Sequence, residues 1–70
     1  MNINKLKGYF KEKDLTYMDV AQKSGLSYNT VAKVVKTGKC NIETAKSIIV
    51  ATEMPPQMAL DIFFENSVSK

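Results

Sequence analysis

The sequence has no histidine and a single cysteine, Cys40. One cysteine leaves nothing for an internal disulfide. Without histidine, a zinc site built on Cys and His ligands is excluded, as are an imidazole general base and a Ser-His-Asp triad. No arginine is present either: all ten basic residues are lysine. Any phosphate or base contact therefore comes from a flexible point charge rather than a planar bidentate fork. No apolar run approaches the roughly 20 residues needed to span a bilayer. The opening MNINKLKGYF lacks the apolar stretch of a signal peptide, so the expected location is the cytoplasm, at the nucleoid if the partner is DNA. Glycine and proline are sparse, confined to Gly8, Gly25, Gly38 and the pair Pro55-Pro56.

What is present is a 70-residue chain with 44% apolar residues, enough for one small core and too many for a disordered tail. The carboxylates Glu12, Asp14, Asp19, Glu43, Glu53, Asp61 and Glu65 are scattered, and few residues remain to wall a substrate pocket. The reading is therefore a non-enzyme without cofactor or metal. The net charge of +3 is unevenly spread. Residues 1–46 carry nine lysines against four carboxylates, a net of +5, and residues 47–70 carry a net of −2. A basic N-terminal two-thirds suits a polyanionic partner, although +3 alone is equally a solubility device.

The spacing predicts five short helices and an all-α fold, with one domain over residues 1–66 and a fraying tail over 67–70. Ile3, Leu6 and Phe10 mark an apolar stripe on a helix from Ile3 to about Lys13, with Tyr9 beside it and Lys5, Lys7, Lys11 and Lys13 off it, read as solvated. Gly8 weakens this helix unless it lets a neighbour approach. Thr16 with Asp19 forms a capping-box-like start to the second helix, stapled by Leu15 and Val20, with Gly25 fit for the left-handed turn at its end. Ser27 caps the third, stapled by Leu26 and Val31. Its stripe is Val31, Val34 and Val35, and the opposite face holds Tyr28, Asn29, Ala32, Lys33 and Lys36. A fourth helix starts after Asn41 and runs to about Thr52, with Ile42, Ala45, Ile48 and Ile49 as its apolar side. The fifth starts at Pro56 and runs to about Glu65, turning Met58, Ala59, Ile62 and Phe63 inward and Leu60 and Phe64 elsewhere. Leu6, Phe10, Val20, Val31, Val34, Ile48 and Ile49 are read as core, and Cys40 as an incidental loop residue.

The segment DVAQKSGLSYNTVAKVV combines a small Ala21 for close helix crossing, a glycine turn at Gly25 and apolar plugs at Leu26, Val31 and Val34. It resembles the helix-turn-helix of Cro and cI-type phage repressors and their XRE-family relatives, and is also similar to the headpiece of the lac repressor family. The preceding helix and the two that follow favour the Cro/cI type, and the resemblance covers roughly residues 3–65. It implies a compact five-helix, lambda-repressor-like DNA-binding domain whose third helix reads the major groove. Val35 stands where the family often has glutamate, and Lys36-Thr37 makes the approach to Gly38-Lys39 one residue longer than the common spacing.

On this resemblance Tyr28, Asn29 and Lys33 match base-reading positions. Asn can pair with adenine, Lys with guanine, and Tyr with a base edge, a thymine methyl or a phosphate. The alternative is an ordinary solvated face. Ser27 is first a cap and second a DNA contact. Thr16 and Tyr17 open the second helix, whose amides meet phosphate in the family. Lys36 and Lys39 fit phosphate but equally fit any lysine-rich surface. Met54, Leu60 and Phe64 read either as core or as a protein interface, a homodimer contact included. Two functions follow: a sequence-specific repressor bound to an operator in double-stranded DNA, or a phage antirepressor or modulator that binds a co-encoded repressor through the same fold.

Overall fold

The computed structural model of the chain describes residues 1–64. Among these residues it is all-helical: α1 (Ile3–Glu12), α2 (Tyr17–Ser24), α3 (Tyr28–Thr37), α4 (Ile42–Ala51) and α5 (Pro56–Phe63). The expected end of the fifth helix at Glu65 and the tail at 67–70 lie outside the described residues. No helix among those described is long and apolar enough to cross a membrane.

Four of the five helices open on a side-chain cap. Asn2, Thr16, Ser27 and Asn41 each accept a hydrogen bond from the backbone N–H three residues on. Each cap satisfies one amide that the first helical turn leaves without a partner. The fifth helix uses proline instead: Pro55 precedes it in an extended conformation and Pro56 occupies its first turn, where no N–H is needed. Helices α2 and α3 close on Gly25 (φ +78°) and Gly38 (φ +73°), whose left-handed backbones send N–H groups back to Ala21 and Val34. Helices α1 and α4 end with the same reversal made by Asp14 (φ +59°) and Glu53 (φ +55°). There Leu15 N–H reaches Phe10 O at 2.8 Å and Met54 N–H reaches Ile49 O at 3.0 Å.

Helix α1 packs against α3 and α5, and α2 against α3 and α4. One core results, centred on the fully buried Leu6, Val20, Val31, Ile48 and Ile62. Phe10, Val34 and Val35 are buried with them, as the spacing predicted, and Ile49 packs on the margin, half-buried. Two polar groups are built into this core. Tyr9 Oη donates to the Thr52 carbonyl at 2.8 Å, and Thr52 Oγ1 donates to the Ile48 carbonyl at 2.8 Å. No buried side-chain N or O among the described residues lacks a partner. Asn2 N–H donates to the Ile62 carbonyl at 2.8 Å, joining the start of α1 to the end of α5.

Of the two readings open for Met54, burial favours the core: it is 5% exposed, because the left-handed Glu53 folds the chain back and carries Met54 inward. Two expectations are corrected. Ile42 is 58% exposed, because as the first residue of α4 it borders an open hollow with Met1, Phe63 and Phe64 instead of lying beneath a neighbouring helix. Gly8 serves no close approach, since a Cβ built there meets nothing within 4 Å. Gly38 has that role: a Cβ there would stand 3.0 Å from Ile3 Cδ1.

Candidate functional site

The site is built on α2, the Gly25 turn and α3. Ala21, buried, takes both turn amides on its carbonyl, Gly25 N–H at 2.9 Å and Leu26 N–H at 3.1 Å. This fixes where α3 begins. Val31, Val34 and Val35 then hold α3 against the core, which leaves Tyr28, Asn29, Lys33 and Lys36 exposed on its other side, with Ala32 between them half-buried. Three valines in one short helix oppose helix propensity, and their burial compensates.

Tyr28 is 48% exposed, and its ring meets that of Tyr17 at 6.2 Å between centroids and 50° between planes. That geometry is a tilted aromatic contact joining the first residue of α2 to the first residue of α3. Beside it lies an open concavity of about 490 Å³ lined by Lys7, Tyr17, Asn29, Ala32, Lys33, Val35 and Lys36. Three lysines and no carboxylate border it.

The structure separates the sequence-derived candidates. Tyr17, Asn29, Lys33 and Lys36 share this concavity, and Tyr28 adjoins it through the ring contact. Thr16 is engaged elsewhere: its hydroxyl accepts from Asp19 N–H at 3.1 Å and its own N–H donates to Asp19 Oδ2 at 3.0 Å. The Thr16 backbone N–H first and its hydroxyl second hold the Asp19 carboxyl below its ordinary value, with a further contribution from Lys23. A carboxylate at this helix start leaves less room for a second anion there. Ser27 is likewise a cap, accepting from Thr30 N–H at 3.1 Å and sharing a 2.8 Å hydroxyl contact with Thr30 Oγ1. Lys39 is exposed but outside the concavity, in the loop where its N–H reaches Thr37 Oγ1 at 3.2 Å. The extra residue before Gly38 is absorbed as helix: α3 runs through Thr37, whose hydroxyl donates to the Lys33 carbonyl at 2.8 Å.

Lys7 is the residue that sequence reasoning passed over. The sequence groups it with Lys5, Lys11 and Lys13 as solvated, and of these four it alone lines the concavity. The available signal was its place four residues after Ile3, on the flank of the apolar stripe, where a lysine stem skirts a packed neighbour. Cys40 lies in a loop, as the sequence suggests, and packs half-buried against the core, where burial pushes its thiol above the ordinary value. Leu60 is 51% exposed and Phe64 half-buried.

No protein-family model, curated protein or solved structure matches the chain.

Proposed function

We propose that the chain is a sequence-specific DNA-binding transcriptional regulator of the Cro/cI type, with α3 entering the major groove and no catalytic role. The supporting observation is the exposed face of α3, where Tyr28, Asn29, Lys33 and Lys36 stand on a rigidly capped helix beside a concavity bordered by lysines and free of carboxylates. Asn29 and Lys33 carry the hydrogen-bonding groups that distinguish adenine and guanine in that groove. Lys36 and Lys39 add sequence-independent attraction to phosphates. Tyr28, braced by Tyr17, presents a ring to a base edge or a thymine methyl. Ser27 and Thr16 serve chiefly as the caps that orient these helices.

The test is a footprint of the purified chain on DNA from its own promoter region at low salt, beside a scrambled duplex of equal length. Protection of a defined site, lost on the scrambled duplex, is the expected result. Absence of binding to either duplex rejects the proposal.

A second reading is a modulator that binds a co-encoded repressor protein, or a regulator that dimerises through its last helix. Leu60 on α5 and Ile42 on α4, both more than half exposed, favour a protein contact outside α2 and α3. Light scattering with and without DNA separates a monomer, a dimer and a chain that binds DNA only with a partner.

A further inference from the structure

We infer that the DNA footprint extends beyond α2 and α3 onto α1, with Lys7 contacting a backbone phosphate in the cleft between α1 and α3. The inference rests on the DNA-binding reading above and adds a residue that the family resemblance does not supply.

Helix α1 packs on α3, and Lys7 and Lys36 both border the two hollows that flank this seam. Val35 is common to both hollows, and neither has a carboxylate in its lining. A carboxylate, Asp14, joins Lys7 only in a third hollow, toward the start of α2. The seam is thus a strip with cations on its α1 and α3 edges and an apolar floor of Ala32 and Val35. That alternation matches a single nucleotide step of a DNA strand, whose anionic phosphate is flanked by the less polar deoxyribose. Lysine suits this task, since an ammonium with three donors needs no fixed geometry toward a phosphate oxygen. Ala32 keeps the floor low, and a larger side chain there would fill the strip.

The contact makes a charge-specific statement. A lysine that neutralises a phosphate releases a counterion on binding, so its loss lowers the salt dependence of affinity by about one unit of slope. A lysine elsewhere changes the net charge equally without changing that slope. Lys46 supplies the comparison: it lies on α4 and borders a separate hollow with Lys23 and Val50.

The experiment is a fluorescence-anisotropy salt titration of the unaltered chain, Lys7→Gln and Lys46→Gln, each on the promoter duplex and the scrambled duplex. Circular dichroism verifies that both variants fold. Lys7→Gln is expected to weaken both duplexes by the same factor and to reduce the slope by about 1, with Lys46→Gln close to the unaltered chain. Ala32→Leu is expected to weaken both duplexes as well, with the slope kept. Equal behaviour of Lys7→Gln and Lys46→Gln, while the unaltered chain binds, overturns the α1 contact alone. Failure of the unaltered chain to bind any duplex overturns the DNA reading and this inference together.

Discussion

At the scale of single residues, the exposed α3 lysine and the loop lysine should fail differently. Lys33 stands on the exposed face of α3, so under the proposed function Lys33→Ala is expected to weaken the specific site by about 1–3 kcal/mol while barely changing the scrambled duplex. Lys39 lies outside the concavity, so Lys39→Ala should weaken both duplexes alike, and a pair of gel-shift titrations separates the two patterns. Backbone strain gives a second residue-level prediction. Glu53 occupies the left-handed region with φ +55° and has no glycine's freedom to do so. It is exposed, so Glu53→Gly relieves the strain without opening a cavity and should raise stability by about 0.5–1 kcal/mol, read as a higher melting temperature. Gly25→Ala meets no neighbouring atom yet must hold φ +78°, so it should cost about 1–2 kcal/mol.

At the scale of the element, the start of α2 carries a pH signature. The Asp19 carboxyl is held below its ordinary value of 3.8 by the Thr16 N–H and hydroxyl. A carboxyl depressed in the folded state stabilises fully above its unfolded value and loses that contribution as the pH falls through the folded value. Thermal melts below pH 5 should therefore show declining stability, and Asp19→Asn should flatten part of the decline. Thr16→Ala removes the hydroxyl from the same cap and should cost about 1 kcal/mol at neutral pH. This cap was readable from the chain because Thr16 and Asp19 stand three apart and need only local geometry. The same holds for the Ser27 and Asn41 caps and the turns at Gly25 and Gly38. Met54 stayed open between core and interface, since its burial depends on a left-handed glutamate that local preference disfavours. Lys7 was missed for another reason: the face of α1 that meets α3 is set by tertiary packing, and the lysines in and just after that helix look alike until that packing is fixed.

At the scale of the whole molecule, one small core serves all five helices, so damage anywhere in it should be global. A 70-residue chain has a total stability of about 4–10 kcal/mol. Ile62 is fully buried on the last helix, and Ile62→Ala should remove about 2–5 kcal/mol. Loss of amide dispersion throughout the NMR spectrum, α2 and α3 included, is the expected outcome; loss confined to α5 would show that the last helix folds apart from the rest. The hydrogen bond from Asn2 to Ile62 has a further consequence under mechanical load. A pull applied at those two positions is borne by a single backbone bond and the apolar contacts of α1 with α5, whereas α3 is held by both α1 and α2. Tension should therefore part α1 and α5 before it disturbs α3, and the clasp between Asn2 and Ile62 acts as a fuse that protects the α2–α3 turn.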